Sequence, residues 1–469
     1  MGDTSHEEKT DADLPAHDPY AALRYPTYRR FLAGNFLHIF GRQMLAVAVT
    51  WQIYEWTGSA TALGLIGFLH AIPLLVLTLP AGHLADRFNR KWILCGALFI
   101  SSCLSLLLAL ITAWPEIVPD AGVLQAANRT IRGVALAFER QVDPASLRFD
   151  NPALPLLYLI MFFSAMTRVV SGPSRTALLP QLLPLGAFSN AVTWNASVFG
   201  IANVAGPALG GFVIAYAGFS RVYLLDAICA AVFLVLLLPV SYRKGERIGS
   251  ARTRDNLLAG VRFVWTDKRI LSAITLDLFA VLFGGAIALL PIFADRILHV
   301  GPVGLGWLRA APAIGSFSMA LTLTHLPPMK RPGITLLWAV GGFGLSIIGF
   351  GFSTWFLASF LFLLLSGALD NVSVVVRHSL VQLLTPDQMR GRVSAINQIF
   401  IGSSNELGAL RAGLMAAWIG PIAATVVGGL ITISVAVGVA RMWPQIRTVP
   451  ALSRITPDTK PQKNPRPGD

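Results

Sequence analysis

The stretch Gly67-Phe-Leu-His-Ala-Ile-Pro73 recurs 239 residues later as Gly306-Trp-Leu-Arg-Ala-Ala-Pro312. The same shift places Arg30 on Arg269 and His38 on Asp277. A second shift, of 202, carries Arg175, Pro184, Asn195, Asn203, Gly206, Gly211 and Gly218 onto Arg377, Pro386, Asn397, Asn405, Gly408, Gly413 and Gly420. Two ungapped offsets that match at non-aliphatic positions are hard to obtain by chance in a chain rich in Leu and Ala. The sequence is therefore an internal duplication. The offsets differ because segment 114–153 of the first half is longer than its counterpart.

Composition says what is duplicated. Hydrophobic residues make up 54% of 469 and charged residues 13%, against roughly 25% charged in a soluble protein. Mean hydropathy is +0.62. That content supplies about twelve membrane helices of ~20 residues and excludes a soluble enzyme, a disordered chain and a secreted disulfide scaffold. The spans are expected near 31–56, 60–81, 92–113, 154–174, 189–217, 222–241, 270–294, 304–325, 334–352, 354–376, 392–418 and 420–441. The expected fold is an all-α polytopic membrane protein, with twelve transmembrane helices as two pseudo-symmetric six-helix bundles. Cys95, Cys103 and Cys229 sit in apolar runs without metal spacing and read as packing residues.

Charge sets the expected orientation. Net charge is +13, and in a membrane protein basic residues collect in cytoplasmic loops, so no nucleic-acid partner is implied. With the N-terminus inside, 27 Lys and Arg fall in the tails, the cytoplasmic loops and the span ends beside them, six in the outer loops and four within spans. Both termini are therefore expected in the cytoplasm, in a multi-pass protein of a bacterial-type inner membrane. The parts are a cytoplasmic tail 1–23, a six-helix bundle 24–241, a basic cytoplasmic linker 242–269, a second bundle 270–441 and a disordered cytoplasmic tail 442–469. No cleavable signal is expected, because the first 20 residues are polar.

Motifs sharpen the architecture. Gly82-His-Leu-Ala-Asp-Arg-Phe-Asn-Arg-Lys91 resembles the G-x-L-A-D-R-x-G-R-K signature of the major facilitator superfamily. Asn89 replaces its second Gly, and Asn tolerates a left-handed turn. Gly206-Pro207-Ala208-Leu209-Gly210-Gly211 resembles the G-P-x-x-G-G antiporter motif of the same superfamily. Arg175-Thr-Ala-Leu-Leu-Pro-Gln-Leu-Leu-Pro184 and Thr385-Pro386-Asp387-Gln388-Met389-Arg390-Gly391-Arg392-Val393 look like the branch that contains enterobactin exporters and macrolide efflux pumps. The resemblance implies the major facilitator fold and alternating access. It implies a gate role for Asp86, whose carboxylate would face the N-terminal end of the eleventh helix near Gly391, with Arg87, Arg90 and Lys91 around it. It also implies that the first, fourth, seventh and tenth helices line the cavity.

Charges within spans mark the candidate pathway, since each costs on the order of 2.5–3.5 kcal/mol at a helix centre. Ser164, Arg168, Ser171 and Arg175 share one helical face, and Ser366, Asp370, Ser373 and Arg377 repeat that spacing. Asn35, His38 and Arg42 share a face of the first span, and Asp277 is the counterpart of His38. Arg175 and Arg377 have an alternative use, reaching to headgroups at the helix ends, and Asn35 and the serines serve equally as packing contacts. Arg168 and Asp370 are expected to face each other across the cavity, with Asp370 as proton carrier and Asp277 as the alternative. Glu406 and Arg411, about 140° apart on their helix, each need a partner elsewhere. No phosphate loop G-x-x-x-x-G-K-[ST] occurs, so ATP hydrolysis is not expected. Neither a metal, a cofactor nor an enzyme activity is indicated. The expected function is a proton-coupled exporter of a small amphipathic organic compound, of siderophore or macrolide type. The cavity arginines favour an anionic or catecholate substrate. Uptake symport, lipid flipping, a receptor and a membrane-embedded enzyme are the alternatives.

Overall fold

The computed structural model describes residues 18–241 and 253–451, apart from Asp120 and Pro328. The expected tail segments 1–17 and 452–469 and the linker segment 242–252 lie outside the described residues. The chain is helical: α1 Pro26–Thr57, α2 Ala60–Arg87, α3 Arg90–Ala113, α4 Gly122–Phe138, α5 Leu154–Leu178, α6 Leu185–Ala217, α7 Phe219–Leu237, α8 Thr253–Thr266, α9 Lys268–Gly284, α10 Gly301–His325, α11 Pro332–Phe352, α12 Phe356–Leu384, α13 Asp387–Ile419 and α14 Pro421–Met442. All except α4 and α8 form the twelve-helix bundle.

Local chemistry sets the joints. Pro26 begins α1, and Gly58 ends it with a positive φ of 63°, a conformation that favours glycine. The Ser59 hydroxyl then accepts the Ala62 N–H at 3.2 Å to start α2. Asn89 departs from expectation. Its φ is −71°, so it adopts no left-handed turn; its carboxamide oxygen instead accepts the Lys91 N–H at 3.1 Å as the cap of α3. An Asn at the signature's second Gly thus starts the next helix.

The duplication is visible in the packing. In the first half α1 packs on α6 and α7, α2 on α5, and α3 on α5 and α7. In the second half α9 packs on α13 and α14, α10 on α12, and α11 on α12 and α14, which is the same set of neighbours. The halves meet along two further symmetry-related pairs, α2 with α13 and α6 with α10. Among the described residues, ten helices are long and apolar enough to cross a membrane. The other two, α10 and α13, carry Arg309, Glu406 and Arg411 and pack against the opposite half, where polar groups find partners.

Both interfaces between halves open toward the end that carries Asp86 and Arg390. At the other end, a Cβ on Gly64 would lie 3.0 Å from the Leu410 carbonyl and 3.1 Å from Gly413 Cα. Further along, Gly402 faces the Leu74 side chain, and beyond that a Cβ added at Gly82 or at Gly391 would meet nothing within 4 Å. The α6–α10 pair behaves alike. Gly211 abuts Gly306 with 3.1 Å between an added Cβ and its Cα, a Cβ on Gly200 would meet Phe317 at 3.4 Å, and Gly186 meets nothing within 4 Å. Glycine lets the backbones touch at the sealed end.

Two segments read as loop or tail are folded. Segment 114–153 contains α4 and seals the closed end. Glu139 is buried and accepts from Ser59 Oγ at 3.0 Å, Ala60 N at 3.1 Å and Thr61 Oγ1 at 2.9 Å, at the positive N-terminus of α2. The next residues grip the other half: Arg140 N donates to the Ala417 carbonyl at 2.8 Å, and Gln141 Nε2 to that of Trp418 at 3.2 Å. The C-terminal tail also begins later than 442. Ile446 and Val449 are buried, and Gly333 admits the Ile446 backbone against α11.

Candidate functional site

Between the halves lies a cavity of about 500 Å³, within the range of small-molecule sites. Ser164, Arg168, Ser171 and Arg175 of α5, the polar face read on the fourth span, all line it, as do His38 and Arg42 of α1. Apolar surface comes from Leu45, Val49, Met161, Ala165 and Phe199. Charged heads and hydrocarbon side by side in one lining suit an amphipathic ligand.

The equivalent face of the second half behaves differently. Ser366, Asp370, Ser373 and Arg377 are absent from the lining. Arg377 is 2% exposed and forms an ion pair with Asp277, buried between α9 and α12. It does not reach to headgroups, and Asp277 does not face the cavity. Asp370 is half-buried on α12. The expected pairing of Arg168 with Asp370 is not formed.

Arg168 instead bridges to Glu406 of α13, at 2.6 Å across the interface between halves. His70 of α2 places Nδ1 3.4 Å from the other oxygen of the same carboxylate. Glu406 thus has the partners it needed, one donor from each of two helices of the opposite half. Arg411 donates to the Phe283 carbonyl at 2.7 Å and lies 5.5 Å from the Phe283 ring centroid, within α9 and α13.

Arg42 has a partner that the pattern did not reveal. Its Nη1 lies 3.6 Å from an oxygen of Asp226 on α7, and its Nη2 donates to Ser164 Oγ at 2.7 Å. Ser105 donates to the same Asp226 oxygen at 2.6 Å. His70, Arg309 and Asp226 were not among the expected pathway residues. His70 and Arg309 occupy the same position of the duplicated stretch and both line the cavity, so the repeat itself carried that signal. Asp226 was an acid inside an apolar run, which is signal enough.

The remaining motif residues lie outside the cavity lining. Asn35 donates to Asn195 at 3.1 Å, joining α1 to α6. Gly206 and Gly210 press on Gln43 and Met44 of α1, while Gly211 presses on α10. Pro207 presents its carbonyl to Gly306. The G-P-x-x-G-G segment therefore carries the contact between halves on one face and the contact with α1 on another. In the signature turn, Arg90 donates to the Ala85 and Ala177 carbonyls at 3.3 Å each. Lys91 donates to the Leu238 and Val240 carbonyls at 2.6 and 3.0 Å, and Arg87 lies 5.9 Å from the Phe88 ring centroid. Asp86 is exposed and its nearest cation is Arg90, at 3.9 Å. A Cβ placed on Gly391 would have nothing within 4 Å in this open arrangement, the Asp86 carboxylate included.

Comparison with known proteins agrees with this geometry. The sequence profile of the Major Facilitator Superfamily matches residues 31–331. The enterobactin exporter EntS of Citrobacter koseri is 25% identical over 411 residues, covering 86% of this chain and 89% of that protein, and the Escherichia coli O1:K1 protein of the same name gives the same figures. Among solved structures, a bacterial homolog of the human lysosomal transporter Spinster, inward-facing and unoccupied, superposes with a TM-score of 0.64 at 15% identity over 93% of this chain and all of that one. The inward-open xylose transporter XylE from E. coli superposes with a TM-score of 0.61 at 14% identity, covering 92% and 98%.

Proposed function

This chain belongs to the Major Facilitator Superfamily of membrane transporters, and on that premise we propose that it exports a small amphipathic organic compound, of siderophore type, across a bacterial inner membrane. The observation that carries the reading is the cavity between two duplicated halves, sealed at one end by backbone contacts and open at the other. The bias of Lys and Arg toward the open end supports a cytoplasmic opening and cytoplasmic termini. The compound would enter from the cytoplasm and leave when the seal at Gly64 and Gly413 parts. The similarity to enterobactin exporters supports the direction and the substrate type.

Transport is coupled to protons in this reading, and Glu406 is the coupling group. A proton on Glu406 removes the charge that Arg168 and His70 share, which weakens a bridge between the halves and so biases a two-state arrangement. This role passes to Glu406 from Asp370 and Asp277 because Glu406 lines the cavity and spans the interface. The test uses inverted membrane vesicles with an imposed pH gradient. Wild-type protein is expected to accumulate the siderophore-type compound in them, and Glu406→Gln to accumulate it without response to the gradient. Accumulation in right-side-out vesicles alone would establish uptake instead, and a gradient-sensitive Glu406→Gln would remove Glu406 from the coupling.

The gate makes a separate expectation. Asp86 is 66% exposed here, so Asp86→Asn leaves the stability of the open arrangement within about 0.5 kcal/mol of wild type. If Asp86 meets the first turn of α13 when the cytoplasmic end closes, its loss slows transport about tenfold, the effect of roughly 1.4 kcal/mol. Initial rates of vesicle transport beside thermal unfolding check both halves of that statement. An unchanged rate would place the gate elsewhere.

A further inference from the structure

The two halves treat one pair of positions in opposite ways. In the second half, Asp277 of α9 and Arg377 of α12 neutralise each other and are buried away from the cavity. The duplication carries these positions onto His38 of α1 and Arg175 of α5, and both of those line the cavity. A histidine cannot supply the negative charge that an aspartate supplies. No carboxylate lies within salt-bridge distance of Arg175 among the described residues, and its Nε has no hydrogen-bond partner. His38 Nδ1 is likewise buried without a partner.

The surrounding charges are also cationic. Arg175 and Arg42 are the charged groups that face His38. Arg42 is already satisfied by Asp226 and Ser164, and Arg168 by Glu406. Arg309 lines the opposite wall. Glu406 is the one carboxylate in the lining of the cavity, against Arg42, Arg168, Arg175 and Arg309. An unpaired guanidinium held at membrane depth is costly, and the cost is met when a ligand brings the counter-charge.

We propose that Arg175, with His38 beside it, is an anion subsite of the cavity, which takes the carboxylate or phenolate oxygen of a small aromatic ligand while the ring lies against Phe199, which the Asn35–Asn195 and Gln43–Asn203 contacts hold level with His38. The subsite is the second half's Asp277–Arg377 pair with its acid removed, so that the substrate supplies the missing charge. The proposal rests on the transport reading of the cavity. It concerns equilibrium binding, so a failure of directional export does not decide it.

The experiment measures binding of salicylate and of its neutral counterpart salicylamide to the purified full-length protein by titration calorimetry. Wild type is expected to bind salicylate about tenfold or more tightly than salicylamide. His38→Asp rebuilds in the first half the pair seen in the second. It is expected to erase the preference for salicylate while keeping salicylamide affinity and raising the unfolding temperature. His38→Asn, which supplies no charge, retains more of the preference than His38→Asp. Arg175→Gln loses it without the gain in stability, and this variant decides the matter if His38→Asp does not fold. Equal binding of the two probes by wild type, or no saturable salicylate binding, overturns the proposal. So does a His38→Asp or Arg175→Gln protein that retains the preference.

Discussion

Arg42→Ala is expected to lower folding stability by about 3–5 kcal/mol, the loss typical when one partner of a buried ion pair is removed. The carboxylate left behind, Asp226, is fully buried. One of its oxygens has no hydrogen-bond partner among the described residues, and the other would keep the Ser105 hydroxyl alone. The opposite deletion is milder. Arg42 is 25% exposed to the cavity, so in Asp226→Asn the guanidinium keeps Ser164 and gains water, at a cost of about 1 kcal/mol. The asymmetry is the informative part. Combining Arg42→Ala with Asp226→Asn removes the orphaned charge and is expected to recover most of the loss, a coupling of the kind that double-mutant cycles resolve. Thermal unfolding of the four proteins in detergent measures it. Equal unfolding temperatures for wild type and Arg42→Ala would show that the pair contributes nothing.

That pair also shows where sequence reading reaches and where it stops. The two offsets of the duplication were legible because they rest on residues such as Gly67, Pro73, Asn203 and Gly211, whose recurrence does not depend on packing. The cavity face of α5 was legible because its serines and arginines recur at helical spacing. Partnership was not. A helical face says which way a side chain points relative to its own helix, while Arg42 meets Asp226 through the placement of α1 against α7. The expected Arg168–Asp370 pairing assumed that equivalent faces of the two halves look into one cavity. Arg377 lies against Asp277 instead, so these two charges neutralise each other within the second half. Segment 114–153 hid its helix for a simpler reason. The buried face of α4, Leu124, Asn128, Ile131 and Ala135, is short and includes a polar residue, so the hydropathy pattern that marks a span is missing.

Gly64→Leu is expected to shift the protein toward opening at its sealed end. The side chain has no room there, since its Cβ alone would sit 3.0 Å from a backbone oxygen of α13 and 3.1 Å from Gly413 Cα. Overpacking of this kind costs about 1–3 kcal/mol. The penalty exists only while α2 and α13 are in contact, so it falls on the arrangement described here and not on one in which that end has parted. A differential of that size moves a two-state balance by about 5- to 150-fold. Gly82→Leu is the mirror case. A Cβ added at Gly82 would meet nothing within 4 Å, so a leucine there is expected to leave the present arrangement untouched and to weigh on closure of the open end. The two substitutions sit on one helix and are chemically identical, yet they are expected to push the carrier in opposite directions. Distances between spin labels placed across each end, measured by pulsed electron resonance, read this directly. Gly64→Leu should lengthen the distances at the sealed end, and Gly82→Leu should leave them short. If both variants shift the same way, or neither does, backbone contact between α2 and α13 is not what holds the closed end shut.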